Sequence, residues 1–344
     1  MSTQLAASST DGTLIARVDP RDGSLTVARF EGNDEECNAT CFMSTAGGIK
    51  SLHQNPHITP AGLVVVTGQH AAAKVNLDRG EVVTEFKGKG LTFALVAPDA
   101  HRDTVIGLVR DGDGDGELSR VDFRTASNVT LATGIHAVTP VTYNDDVTAM
   151  RVEIHNGGDN DLRVSLKSDE KIIGTFRART TRGSYIVAVK AEKDATGGVW
   201  VVIVTKNKAA VKKVAFIVAR VCSKTGEAVH TSTDVPVCNV EAVEVFTNPC
   251  DDSMSVTATV IDTIGFRNLL GITAMVRENR VTVSYMPVLL DDRIDTVCSL
   301  LKVWSPFPLS SGSMVPMIAV NDWDTYIYQP EESDSDSSSD SDSS

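Results

Sequence analysis

Aromatic side chains are scarce in this sequence, at 5% of its residues. That scarcity excludes a surface of aromatic rings interleaved with basic residues, the usual platform for stacking nucleobases. Cysteine is equally thin. Its six occurrences (Cys37, Cys41, Cys222, Cys238, Cys250 and Cys298) are irregularly spaced, which excludes a disulfide framework and leaves reduced, mostly buried thiols as the expectation. No apolar run approaches the ~18 residues of a membrane-spanning helix, and the first residues show neither a basic segment nor the long apolar core of a secretory signal. An intracellular chain with no membrane partner is expected, with the glycosylation sequons at Asn38 and Asn128 unused.

Basic residues are in deficit too. There are 32 Lys and Arg against 45 Asp and Glu, for a net charge of −13; six of the acidic side chains fall in residues 331–344, so the body carries −7. A general basic surface for nucleic acid is excluded. Local clusters remain at Arg177, Arg179 and Arg182 and at Lys206, Lys208, Lys212 and Lys213, where a solvated rim and a patch touching RNA phosphates are the two readings.

Catalytic fingerprints are missing as well. The seven histidines are scattered, and none stands beside a nucleophile motif. His53 and His57 enclose Asn55-Pro56, which breaks a helix, and Cys37 and Cys41 lack the second pair that zinc needs. The KGKG run at 87–90 has neither the spacing nor the following helix of a phosphate loop. No cofactor is expected, and the chain reads as a non-enzyme.

What is present is a repeat. Residues 62–87, 104–133 and 148–177 each run from an apolar strand through a polar turn to a second strand, then through a short turn to a third. Val75, Val121 and Val164 fall at equivalent places, 46 and 43 residues apart, close to the period of a four-stranded propeller blade. Residues 5–30 carry the same rhythm around Asp11-Gly12 and Asp22-Gly23, dipeptides whose tolerance of positive φ makes them hairpin turns. The period loosens after residue 177, but the apolar runs at 184–232, 237–297 and 297–329 supply further sets. The expectation is an all-β fold: a single β-propeller of about seven four-stranded blades over residues 1–330, closed by a strand shared between the termini, followed by a disordered tail over 331–344. NKAAVKKV, at 207–214, reads as an exposed hairpin.

The strand and turn rhythm resembles a divergent WD-repeat β-propeller. Trp323-Asp324 is the only Trp-Asp dipeptide, while Val75-Asn76, Val121-Asp122 and Val164-Ser165 stand where the regular third strands end. Gly68-Gln69-His70 and Gly134-Ile135-His136 replace the family's Gly-His dipeptide. The family's Asp-His-Ser/Thr-Trp hydrogen-bond network is therefore not expected in its usual form.

Two local motifs remain. In residues 111–122, Asp111, Asp113 and Asp115 occupy alternate positions, Glu117 offers a carbonyl and Asp122 ends the loop, an oxygen-ligand spacing suited to calcium. An Asp-Gly-rich hairpin satisfies the same residues without a metal. In the tail, Ser333, Ser337 and Ser339 each have Asp three residues on, the pattern acidophilic kinases prefer, and phosphorylation would add up to about two negative charges per site.

A propeller without a catalytic constellation is expected to be a non-catalytic protein-interaction scaffold. The acidic tail resembles those of nucleolar and chromatin-handling proteins that engage basic partners. In outline the chain resembles propeller subunits of the small-subunit processome, which implies a nuclear or nucleolar assembly in ribosome biogenesis and an indirect association with RNA. The alternatives are a calcium-dependent ligand binder or propeller enzyme using the 111–122 loop, and a cytoplasmic trafficking or ciliary scaffold.

Overall fold

Val, Ile and Thr, whose branched Cβ favours extended backbone, dominate the runs between turns, and the result is a chain of strands. The computed structural model describes twenty-five strands, together with the turns and side chains of residues 106–285 apart from short breaks; no helix occurs among the described residues. The tail at 331–344 lies outside the described residues.

The first sheet is an antiparallel meander of β1 (Leu5–Ser8), β2 (Leu14–Val18), β3 (Ser24–Glu31) and β4 (Asn38–Thr45). The second holds six strands in chain order: β5 (His57–Ile58), β6 (Leu63–Asn76), β7 (Glu81–Pro98), β8 (Thr104–Asp111), β9 (Gly116–Asp122) and β10 (Ser127–Ile135). The third begins with the meander β11 (Ala137–Tyr143), β12 (Asp146–Asn156), β13 (Asp161–Ser168) and β14 (Lys171–Arg179). A second meander, β15 (Ser184–Lys193), β16 (Gly198–Asn207), β17 (Val214–Cys222) and β18 (Ala228–Val235), joins it through parallel pairing of Val141 with Ala191 and Thr142 with Glu192. The fourth sheet is β19 (Val237–Thr247), β20 (Met254–Asp262), β21 (Arg267–Arg277) and β22 (Arg280–Val288). The last is β23 (Val297–Trp304), β24 (Met314–Val320) and β25 (Thr325–Ile327).

The four-stranded antiparallel meander is the recurring unit, and the described architecture is propeller-like. The first strand of one unit lies beside the first strand of the next: β11 by β15, β15 by β19, β19 by β23, and β23 by β1. Val121 and Val164 occupy corresponding strands, β9 and β13. Two expectations change. The polar turn expected after the first apolar strand of the 62–87 repeat does not form: residues 67–69 lie inside β6, where the ladder shifts register between Gln69 and Ala71, so a bulge takes the place of a hairpin. β25 pairs with β24, and all four strands of the first sheet come from the N-terminal residues, so among the described residues the sheets show no strand exchanged between the termini.

β16 shows why so apolar a run belongs here. Trp200, Val202 and Val204 point into a layer shared with Val240, Val256 and Leu270 of the following unit. Val199, Val201 and Ile203 point the other way, against Ile154, Val164 and Phe176 of the preceding one. A strand buried on both faces loses the usual alternation and reads as continuously apolar. Residues 207–214 form the expected hairpin connection, with Val211 exposed at its tip.

The turn after β17 is pressed against β14. Gly226 sits at φ +76, and a Cβ there would collide with the carbonyl oxygen of Ile173; on the other side, a Cβ at Gly174 would lie 2.6 Å from the Gly226 oxygen. Glycine is required at both by left-handed backbone at one and close approach at the other.

Candidate functional site

The sequences RVEIH (151–155), DLRVSLK (161–167) and TFRAR (175–179) alternate polar and apolar residues, so that β12, β13 and β14 send one set of side chains to each side of the sheet. Val152, Ile154, Val164, Leu166, Phe176 and Ala178 fill the apolar layer toward β16 and β17. The opposite face is polar except for the exposed Ile172. Register places Arg151 by Lys167, Glu153 by Ser165, and His155 by Arg163, then Arg163 by Arg177 and Asp161 by Arg179.

The β12 side of this face is closed by β7 and β10 of the preceding sheet. Arg151 and Glu153 are consequently 3% and 0% exposed. Glu153 Oε1 accepts a hydrogen bond from Arg151 Nε at 2.8 Å, and Oε2 lies 2.7 Å from Lys167 Nζ. The second nitrogen of Arg151 reaches Glu170 at 3.3 Å. His155 Nδ1 lies 3.0 Å from the Gly134 carbonyl oxygen on β10, which pins the ring and turns Nε2 toward Glu153 at 3.6 Å. Glu153 thus faces a cation at each oxygen within the closed half of the face, by hydrogen bond at Oε1 and by charge alone at Oε2.

The β14 side is open and forms a cleft of about 430 Å³, lined by Arg163, Arg177, Lys167, Ser165, His155 and Asp161 among others. Arg163 and Arg177 stand directly opposite each other across the β13–β14 ladder, both exposed, and no carboxylate among the described residues forms an ion pair with either. A second cleft of about 340 Å³ continues past Arg177 and Arg179 to His230 on β18, whose ring stacks on Phe176 at 5.3 Å. The two basic clusters, apart in sequence, meet beside it: Ser184 pairs with Asn207, Tyr185 with Lys206, and Asn207 Nδ2 donates to the Arg182 carbonyl at 2.7 Å. Lys213 is compensated by Asp234 at 2.6 Å.

No model of a known protein family matches the chain, and no curated protein matches it. Function is therefore argued from this geometry.

Of the proposed calcium ligands, Asp115 and Glu117 have described side chains. Asp115 Oδ1 is 2.9 Å from His136 Nδ1, and Glu117 accepts from the Thr130 hydroxyl at 3.3 Å. Glu117 thus bonds across the β9–β10 pair, and Asp115 bonds the residue that links β10 to β11. Asp111 ends β8 opposite Leu91, and Asp122 ends β9 between Thr104 and Ser127, both by backbone pairing. Asp113, Ser333, Ser337 and Ser339 lie outside the described residues.

A buried network lies in the turn between β15 and β16, at the opposite end of β15 from Lys206. Asp194, 0% exposed in the turn between β15 and β16, accepts from the Thr196 hydroxyl at 2.7 Å and from the Thr196 and Gly198 N–H groups. Its other oxygen accepts from Arg220 Nε at 2.8 Å, and Arg220 also donates to Thr196 Oγ1 at 2.6 Å while its guanidinium lies 6.0 Å from the centre of the buried Trp200 ring. Burial pushes the Asp194 carboxyl up, but the hydrogen bonds from Arg220, Thr196 and Gly198 outweigh it and hold its pKa below the usual value. Asp262 repeats the device at the turn after β20. Desolvation raises its pKa, and N–H groups of Phe266, Ile264 and Gly265 with the Asn268 amide pull it below the ordinary value.

The Thr225 hydroxyl and the Thr225 and Lys224 N–H groups lower the pKa of the half-buried Cys222 thiol. Thr225→Val is expected to slow alkylation of Cys222 by iodoacetamide severalfold at neutral pH, followed by peptide mass spectrometry. Equal rates would show that the hydroxyl leaves the thiolate unassisted.

Proposed function

We propose that the chain is a non-catalytic interaction scaffold, a WD-like propeller of about seven blades that serves as a subunit of a multiprotein or ribonucleoprotein assembly. The observation that carries this reading is the open basic face of β13 and β14, continued by Arg179, Arg182 and the lysines of the β16–β17 hairpin, on a protein of net charge −13. Arg163 and Arg177, held without counter-charges on a sheet whose other face is locked into the core, form the rigid centre of a docking surface. Exposed apolar tips at Val211, Ile264 and Phe266, all on hairpins of the two following units, add contact area of the kind partners bury. Ribosome biogenesis in the nucleus or nucleolus is the setting that the processome resemblance implies, with the acidic tail engaging basic partners.

The test is purification of the tagged full-length protein from its own cells at low salt. A discrete multisubunit particle is expected, dissociating as ionic strength rises because exposed pairs are screened. Recovery as a lone monomer at low salt would overturn the scaffold reading.

A further inference from the structure

We propose that the cleft between Arg163 and Arg177 is a recognition site for a phosphoserine- or phosphothreonine-bearing acidic segment. Like charges directly opposite on neighbouring strands destabilise a sheet, and the local carboxylates do not relieve this pair. Glu153 is occupied on both oxygens by Arg151 and Lys167, while Asp161 pairs in register with Arg179 and forms no ion pair among the described residues. Cβ atoms of such a cross-strand pair sit about 5 Å apart, so both guanidinium groups can converge on one tetrahedral oxyanion, each through two parallel N–H donors. The Ser165 hydroxyl lines the floor beside them and Lys167 adds positive charge.

A phosphate monoester carries up to about two negative charges, matching two arginines better than the single charge of a nucleic-acid diester. None of the residues lining the cleft is Phe, Tyr or Trp, and its one ring, His155, is tied to the Gly134 carbonyl, so the cleft lacks the aromatic platform on which successive bases stack. Both features favour a phosphorylated peptide over RNA. The arginines stand on β13 and β14, fixed from behind by Val164 and Phe176 in the core, so the clamp is preorganised and the bound segment alone becomes ordered.

The proposal deepens the scaffold reading by naming a partner's chemistry, and its test is separate: a lone monomer in cells would leave the titration below untouched. The probe is a fluorescent peptide of residues 331–344 with phosphoserine at Ser333, Ser337 and Ser339, titrated by fluorescence anisotropy with the full chain. Saturable binding is expected, weakened about tenfold or more in Arg163→Gln/Arg177→Gln, by removal of two charge-assisted contacts. It should be weakened severalfold in Arg163→Lys/Arg177→Lys, which keeps the charge but loses the forked donors, and unchanged in Lys208→Gln/Lys212→Gln. The unphosphorylated peptide should bind about tenfold more weakly, and inorganic phosphate should compete. Thermal melts report whether each variant folds; the Lys pair and the phosphate competition still decide if the Gln pair does not. Equal affinity for both peptides, equal affinity of the Lys pair and the wild type, or tighter binding of an oligouridylate at the same arginines would overturn the assignment.

Discussion

Replacing Asp194 by Ala is expected to lower folding stability by about 3 kcal/mol, read as a shift of the urea midpoint at unchanged slope. The carboxylate is fully buried and answers Arg220, the Thr196 hydroxyl and two N–H groups. Its removal leaves a guanidinium uncompensated against the buried Trp200 and a turn without its acceptor. The same loss has a pH signature. Burial raises the Asp194 pKa, yet hydrogen bonds from Arg220, Thr196 and Gly198 bring it below the unfolded value. A carboxylate depressed in this way contributes stability that is fully present above its unfolded pKa, about 4, and lost as the pH falls through the folded one. The gap between wild type and Asp194→Ala should be largest near neutrality and narrow below pH ~4. An equal gap at pH 3 and pH 7 would sink this account.

A comparable loss, about 3–5 kcal/mol, is expected for Glu153→Ala. Arg151 and Lys167, 3% and 15% exposed, would then share a closed sheet face with no carboxylate between them, and only Arg151 has a second partner in Glu170. The double substitution Arg151→Met/Glu153→Leu should recover the part of that loss that comes from stranding Arg151, since apolar residues of similar volume often replace a buried ion pair at no cost, while Lys167 stays without its carboxylate. Denaturant titration of the two single variants and the double variant gives the coupling directly. Additive losses would show that the two side chains do not depend on each other.

Much of this fold was legible in the sequence because hairpin chemistry is local. Asp11-Gly12 and Asp22-Gly23 between apolar runs marked the strands of the first sheet, and the spacing of Val121 and Val164 placed them in corresponding strands. The misreading at 67–69 came from composition. A Thr-Gly-Gln segment satisfies a turn or a bulge, and only pairing with β7 chooses between them. The buried network around Asp194 was invisible in the sequence. Asp194 and Arg220 lie 26 residues apart and meet only because β16 and β17 pair.

The basic cleft was half visible. Arg177, Arg179 and the lysine cluster stood out as runs of one sign. Arg151, Glu153 and Lys167 did not, because alternating charge and apolar residues look the same on a strand whose polar face meets water as on one whose polar face meets another sheet. Arg163 gained its meaning only from the register that set Arg177 opposite it.

The apolar layers between successive sheets also set an order of events during synthesis. The hairpins of β11–β14 are complete at Arg179, but Val164, Phe176 and their neighbours are covered only by the strands of the next meander, which ends at Val235. At ~5–20 residues per second, that face waits roughly 3–10 s for its cover. Strands β15–β18 shield the layer of β11–β14 and expose their own far side, which waits in turn for β19–β22, so over these units an unprotected apolar surface advances along the nascent chain.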